Sequence, residues 1–114
     1  MSDLRLLLVT LPEERAPAFV RTLCEERWVA CGNIIPGVRS IYWWKGEICD
    51  DTEALVLMET VADRLEPAME RIVALHPYET PKIVVTTPSA VAESFAAWAR
   101  ASLGVAPPDP ETPP

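Results

Sequence analysis

Apolar and polar positions divide the first quarter of the chain into a strand and a helix. Residues 4–11 (LRLLLVTL) form a short apolar run with branched side chains, which is typical of a buried strand, and Pro12 ends it. Helical spacing follows, and one side of the predicted helix carries Ala16, Val20, Leu23, Cys24 and Arg27. Pro17 fits this helix only in its first turn, and the pattern predicts that the helix stops near Trp28.

The middle of the chain predicts two long strands joined by a tight turn. The arms are residues 30–44 and 47–60, and Lys45-Gly46 between them predicts a hairpin turn in which glycine takes a positive φ. Pro36-Gly37 predicts a bulge in the first arm, because proline has no N–H to donate to a ladder. Since side chains alternate along a strand, Trp43 would point to one face and Trp44 to the other. The hairpin therefore needs two apolar environments.

The last third of the chain predicts a helix, a strand and another helix. Residues 63–76 are helical, and their apolar stripe consists of Leu65, Met69, Ile72 and Val73, with His76 one turn further on. Pro77 ends this helix, and residues 81–87 (PKIVVTT) predict a strand. Ser89 is the expected N-cap of a third helix. The apolar side of that helix would be Val91, Phe95 and Trp98.

The order of elements repeats and predicts the fold class. Thr10, Pro17, Ala18 and Arg21 recur fifty residues later as Thr60, Pro67, Ala68 and Arg71. Two strand–helix–strand units whose middle strands form the hairpin give an α+β, ferredoxin-like βαββαβ fold with an additional C-terminal helix. Its antiparallel four-stranded sheet would carry helices on one face. We expect a single domain over residues 1–104 and a disordered, proline-rich tail over 105–114.

Charge and cysteine content exclude several classes of partner. With 17 acidic and 10 basic side chains the chain has a net charge of -7, which would repel nucleic acid and anionic membrane surfaces. Three cysteines without a C-x-x-C pair fit neither a disulfide framework nor a four-thiolate zinc site, so we expect reduced thiols. No secretory signal or transmembrane stretch is visible. The protein is expected to be soluble and cytoplasmic.

The residues give little support to an enzymatic role. None of the four glycines is spaced for a dinucleotide loop or a Walker phosphate cradle. A Ser-His or Cys-His pair would have to use His76, the single histidine, and nothing in the spacing selects its partner. We therefore predict a protein that is not an enzyme and requires no cofactor.

A weak metal site is one chemical role that the residues leave open. His76, Tyr78 and Glu79 stand together on a stretch bounded by two prolines, and cysteine thiolates from Cys31 and Cys49 would suit copper(I) or zinc. Alternatively, the His76 ring serves a carbonyl at the C-terminal end of its helix. The acidic residues of the second hairpin arm could likewise hold a hard cation or form a solvated strand face. They are Glu47, Asp50, Asp51, Glu53 and Glu59.

Two segments together resemble the CutA family of divalent cation tolerance proteins. The segments are CGNIIPGVRSIYWWKGEI at residues 31–48 and HPYETPKIV at residues 76–84. Motifs of this length, in this order, are highly specific, and the resemblance runs from about residue 6 to about residue 102. The bacterial branch that coordinates copper has a cysteine near the end of the first strand and two adjacent histidines. This chain has Val9 and Leu75 at the first two of those positions, and only His76 remains.

The resemblance implies a ferredoxin-like subunit in a stable homotrimer whose long hairpins pack against neighbouring subunits. Family members are linked to tolerance of copper and other divalent metals, which implies weak binding of such a cation by His76 with Cys31 or Glu79. The family trimer is also similar to PII signalling proteins, so the alternative is a module that binds a small ligand in clefts between subunits. The residues expected at the subunit interface are Tyr42, Trp43, Trp44 and Tyr78.

Overall fold

Four strands and three helices make up residues 3–105, the part of the chain that the computed structural model describes. The strands are β1 (Leu4–Leu11), β2 (Cys31–Trp44), β3 (Glu47–Val61) and β4 (Ile83–Thr86). The helices are α1 (Ala16–Glu25), α2 (Leu65–Leu75) and α3 (Glu93–Ser102). All strand pairs are antiparallel, in the order β2-β3-β1-β4. The predicted α+β fold with its extra C-terminal helix is confirmed.

The hairpin of β2 and β3 has both the turn and the bulge that the sequence predicts. Lys45 and Gly46 have positive φ angles of 50° and 81°, the conformation that a two-residue turn between twisted strands requires. The register of β2 against β3 shifts at the bulge, where Gly37 has a φ of 70°. The Gly37 backbone N–H donates a hydrogen bond to the Glu13 carboxylate. This contact ties the bend of the hairpin to the segment that leads into α1.

One face of the sheet forms the main core with α1 and α2. The strand residues on this face alternate along β1 and β3 and are fully buried; they are Leu7, Val9, Leu11, Ala54, Val56 and Met58. The helices add Phe19, Val20, Leu23 and Ile72. Pro17 stands in the first turn of α1, as predicted. This layer of helices covers the part of the hairpin that lies next to β1.

The third helix packs at the end of the opposite sheet face. Leu4 and Val61 pair across β1 and β3, and by alternation they point away from the main core. They form a second buried cluster with Ala99 and Leu103. The helices of the two strand–helix–strand units, α1 and α2, share one face as predicted, and the additional helix α3 lies on the other. Val105, which the sequence placed in the tail, packs against this cluster, while residues 106–114 lie outside the described part of the chain.

Much of this second face is apolar and remains partly accessible. We call it the open sheet face; it consists of Leu6, Leu8, Leu55, Leu57 and Val84. The four leucines are half-buried and Val84 is 45% exposed, and neither buried cluster within residues 3–105 includes them. An apolar sheet face is stable in water when another layer covers it.

Predicted boundaries differ from the structure at α1 and β4. α1 ends at Glu25 rather than near Trp28, because Arg27 adopts a left-handed conformation with a φ of 61°. Arg27 is exposed and does not belong to the apolar side of the helix. β4 covers residues 83–86 instead of 81–87, since the segment beginning at Pro81 continues the preceding loop.

The predicted helix faces need correction at α2 and α3. Val73 of α2 is exposed, and this helix buries Ala68 and Ile72 instead. α3 begins after Ala92, without a side-chain cap, so Ser89 is not its N-cap. Its exposed aromatic residues, Phe95 and Trp98, contact each other, and small Ala99 is the buried residue. An alanine lets the helix approach the sheet closely.

Gly32 allows α1 to lie directly on β2, and Gly32→Ala is expected to destabilise the subunit by about 2 kcal/mol. A Cβ at this position would lie 2.4 Å from Val20 Cγ1 and 3.3 Å from Met58 Cγ. Chemical denaturation of Gly32→Ala, Val20→Ala and the double variant would measure the clash. The double variant should lose less free energy of unfolding than the two single variants together. Strict additivity would show that the two positions do not interact.

Candidate functional site

The single histidine is buried behind the end of β1, and both of its ring nitrogens have partners. His76 follows α2 as its C-cap and is 7% exposed. The Tyr78 backbone N–H donates to Nδ1 at 3.1 Å, which leaves the ring proton on Nε2. Nε2 then donates to the Thr10 carbonyl at 2.8 Å. A metal ion could bind either nitrogen only by displacing a hydrogen bond.

Aromatic contacts hold the His76 ring in this orientation. The Phe19 ring meets it edge-on at a centroid distance of 6.0 Å, and the Tyr78 ring lies 4.8 Å away. The interpretation of His76 as a structural residue fits this environment, but the expected carbonyl was wrong. The accepting carbonyl belongs to β1, not to the last turn of α2.

A groove lies between the tip of the hairpin and the loop that follows His76. Its volume is about 330 Å³, and its lining is Tyr42, Trp44, Pro77, Tyr78, Glu79 and Thr80. Tyr42 and Trp44 are two positions apart on β2 and so share a face. The loop presents Tyr78 to them. Three residues that the sequence assigned to a subunit interface therefore line a common surface.

Each tyrosine of the groove donates a hydrogen bond to a carboxylate of β3. Tyr42 donates to Asp51, and Tyr78 donates to Glu53 at 2.7 Å. The hydrogen bond to Asp51 raises the pKa of Tyr42 to about 12. Burial, followed by the hydrogen bond to Glu53, raises the pKa of Tyr78. Both phenols therefore remain protonated donors at neutral pH.

Cys31 lies apart from His76, so the structure does not bring the predicted ligands together within one chain. Thr10, which His76 contacts, pairs with Leu55 of β3, whereas Cys31 pairs with Glu59. Four residues along a strand correspond to roughly 13 Å. Burial raises the pKa of the Cys31 thiol, and the Glu59 carboxylate adds to the effect. Such a thiol is a poor source of thiolate at neutral pH.

The acidic residues of β3 are distributed among separate partners. Arg39 pairs with Asp50 through two contacts of 2.9 and 2.7 Å, while Asp51 and Glu53 accept from the tyrosines. Glu79 lines the groove instead. Within residues 3–105, no three His, Cys, Asp or Glu side chains converge in a way that could hold a metal ion.

Glu59 lies half-buried beside Cys31, and Glu59→Gln is expected to stabilise the protein at pH 7 but not at pH 4. Its Oε1 is buried without a hydrogen-bond partner among the described residues, and burial raises the pKa of this carboxyl above its ordinary value of 4.5. The folded state then holds the proton more tightly than the unfolded state. Stability associated with Glu59 is fully present below pH 4.5 and is lost as the pH rises through the raised value.

We expect the Gln variant to gain roughly 0.5 kcal/mol at pH 7, because partial contact with water limits the effect. Urea denaturation at both pH values, with thiols reduced, would measure it. Glu70→Gln, on the exposed surface of α2, is the matched control. An equal gain at pH 4 and pH 7 would contradict the assignment.

The other face of the hairpin tip carries a strongly exposed apolar patch. We call this patch the tip patch; it consists of Ile41, Trp43 and Ile48, which are 63%, 72% and 55% exposed. Trp43 pairs with Ile48 across the hairpin, so the patch is continuous. Trp44 points to the groove face, as alternation predicts. Apolar patches of this kind commonly mark interaction surfaces.

Sequence reasoning missed the open sheet face as a functional surface. The signal was present in residues 4–11 and 54–58, where apolar side chains occupy consecutive rather than alternate positions. Such a run is typical of a strand that is buried on both faces. Within the subunit, α1 and α2 cover one face of the sheet, whereas α3 covers only the end of the other.

The sequence model of the CutA1 divalent ion tolerance protein family matches residues 5–102. The chain belongs to this family. It is 40% identical over 99 residues to the divalent-cation tolerance protein CutA of Thermus thermophilus, a match that covers 86% of this chain and 96% of the relative. The sequence-based recognition of the CutA family is thus confirmed.

Solved structures of the CutA family have the same fold. CutA of Xylella fastidiosa superposes with a TM-score of 0.86 at 32% identity, over 90% of this chain and 99% of that one. A Nostoc structure described as a PII-like protein CutA superposes with a TM-score of 0.82 at 36% identity, over 87% of this chain and 96% of that one. An Archaeoglobus fulgidus CutA described as periplasmic superposes with a TM-score of 0.83 at 27% identity, over 88% of this chain and 98% of that one.

No helix within residues 3–105 combines the length and the apolar character that crossing a bilayer demands.

Proposed function

We propose that this chain acts as a cytoplasmic, non-enzymatic homotrimer in tolerance of divalent cations. Membership of the CutA1 family supports the role in tolerance. The names of its relatives describe tolerance proteins and not catalysts. The fold supports assembly, since the subunit has a layer of helices on one face of its sheet and an apolar surface on the other.

The observation that carries the assembly is the partly exposed open sheet face together with the tip patch. Both surfaces are apolar, and they lie at different ends of one subunit. A single subunit in water would expose both, which monomers avoid. Aromatic and aliphatic side chains dominate buried subunit contacts, so neighbouring copies of the chain are suitable covers.

Changing Trp43 and Trp44 together to alanine is expected to weaken the trimer by at least tenfold in its dissociation constant. Light scattering across a dilution series would compare the double variant with wild type and with Trp98→Ala, a matched control on exposed α3. The same variants would be tested for restoring growth on copper to bacteria that lack their own gene of this family. Wild type that is monomeric, or that fails to restore growth, would overturn the proposal.

Direct metal binding by His76 with Cys31 or Glu79 stays a prediction. Copper or another divalent cation bound there would be held weakly, because His76 has both nitrogens in hydrogen bonds and Cys31 lies on a different part of the sheet.

The groove supports a second candidate function, a PII-like module that binds a small ligand. Tyr42 and Trp44 face Tyr78 across a space large enough for a small molecule, and the two hydrogen-bonded tyrosines fix its walls. Adjacent subunits would narrow this groove into a cleft. Thermal melting in the presence of metabolites would test the role, and a broad set without any stabilising compound would contradict it.

A further inference from the structure

The groove between the hairpin tip and the loop after His76 has aromatic walls. Three aromatic rings, from Tyr42, Trp44 and Tyr78, line a volume of about 330 Å³. Each of these side chains is about 40% exposed, so part of each ring faces the groove or solvent. The loop that supplies Tyr78 is anchored by the contact of its N–H with His76. The aromatic wall is therefore held in place before any ligand arrives.

The groove is rich in acceptors and contains no cation in its lining. Among the described residues that line it, none is basic, and Glu79 is acidic. Asp51 and Glu53 lie directly behind the tyrosine hydroxyls and accept hydrogen bonds from them. Because both hydroxyls already donate inward, their remaining lone pairs are acceptors. A phosphate or carboxylate ligand would find an acidic side chain and no basic one within the lining itself.

Trp44 already accepts a positive charge on its ring. The ammonium group of Lys45 lies 5.6 Å from the centroid of the Trp44 ring, within the range of a cation–π contact. Lys45 does not line the groove itself. The contact shows that an ammonium group, here the chain's own, reaches the Trp44 ring at cation–π distance.

We propose that the groove binds an organic ammonium group, which would lie against the rings of Tyr42, Trp44 and Tyr78 with Glu79 as its counter-charge. Ammonium groups bind the faces of aromatic rings and are favoured further by nearby carboxylates. A bare divalent metal ion has no set of converging ligands here, as no metal-holding group occurs within residues 3–105. The inference rests on the ligand-binding role proposed above and names the chemistry of its ligand.

The test compares choline with its neutral isostere, 3,3-dimethylbutan-1-ol, by NMR titration of the reduced, ¹⁵N-labelled full chain. Trp44→Phe would assign the indole N–H signal of Trp44. Choline is expected to shift that signal and to bind roughly tenfold more tightly than the isostere. ATP and zinc serve as anionic and metallic probes, and neither is expected to shift it.

Glu79→Gln tests the charge without removing an aromatic ring. We expect it to weaken choline binding by roughly threefold and to leave the isostere unchanged. Glu70→Gln on α2 is the matched control and should bind as wild type does. Equal binding of choline and the isostere, a Trp44 shift with ATP or zinc in place of choline, or equal behaviour of the two Gln variants would each overturn the inference.

Light scattering on the same samples separates this inference from the proposed function. A trimer that binds no ammonium compound would overturn the inference and leave the proposed assembly intact. A monomer that binds choline through Trp44 and Glu79 would support the inference and overturn the proposed assembly.

Discussion

Replacing Leu57 with aspartate is expected to separate the assembled protein into monomers. Leu57 lies at the centre of the open sheet face, where it pairs with Leu8 and Asn33 of the neighbouring strands. In the proposed trimer a neighbouring subunit covers it, so a carboxylate there would be buried without a partner. Such a charge costs about 3 kcal/mol or more per subunit, which corresponds to at least two orders of magnitude in the dissociation constant. Sedimentation or light scattering across a dilution series would measure the change.

The same chemical change at an exposed apolar position provides the control for Leu57→Asp. Val73 on α2 is 53% exposed and lies away from the open sheet face. Val73→Asp should therefore remain assembled, and circular dichroism would show whether each variant is folded. If Leu57→Asp and Val73→Asp dissociated at the same concentration, the open sheet face would not be a subunit interface. Leu57→Met keeps the volume and the apolar character of the side chain, so this variant should stay trimeric.

Replacing His76 with alanine is expected to lower the free energy of unfolding by about 3 kcal/mol. The substitution removes a buried ring that packs on Phe19 and Tyr78. It also leaves the Thr10 carbonyl without its side-chain donor and the Tyr78 N–H without its acceptor. Chemical denaturation at fixed protein concentration would measure the loss. His76→Phe keeps a ring without the nitrogens and should recover about half of it.

Calorimetric titration of copper and zinc into the same reduced variants would examine the metal prediction for His76. Because both ring nitrogens have partners in the folded chain, wild type is expected to bind either metal only weakly, and His76→Ala to give still smaller heats. Identical heats for the two proteins would contradict the prediction of direct binding by His76. Glu79→Ala, in the same loop, is the control for a change of local charge. Binding that is strong in wild type and absent in His76→Ala would identify the histidine as a metal ligand.

The sequence predicts the fold where local chemistry decides the structure. The hairpin follows from Lys45-Gly46 and its bulge from Pro36-Gly37, because these residues restrict the backbone wherever they occur. The placement of α3 could not be predicted in the same way. Its contact with the sheet depends on small Ala99, which carries almost no hydrophobic signal, whereas the larger Phe95 and Trp98 stay exposed.

The candidate site depends on contacts between distant residues, which a pattern along the chain does not encode. The carbonyl that accepts from His76 lies 66 positions away, and Tyr78 meets Glu53 across 25 positions. The sequence singled out Tyr42, Trp44 and Tyr78 as interface residues, and the structure places them around one groove. It also joined Cys31 to His76 as ligands of one metal site, although the strand register keeps them apart.

In the proposed trimer, the open sheet face would make the lifetime of a newly synthesised subunit depend on how soon it meets another. A subunit that completes part of its core with its neighbours has no stability that can be assigned to it alone, since dilution removes that part of the core. Its melting temperature should therefore rise with protein concentration. In a cell that produces few copies, the same leucines that stabilise the assembly would promote aggregation or proteolysis of unassembled chains. The expression level of such a protein is thus a determinant of its folding.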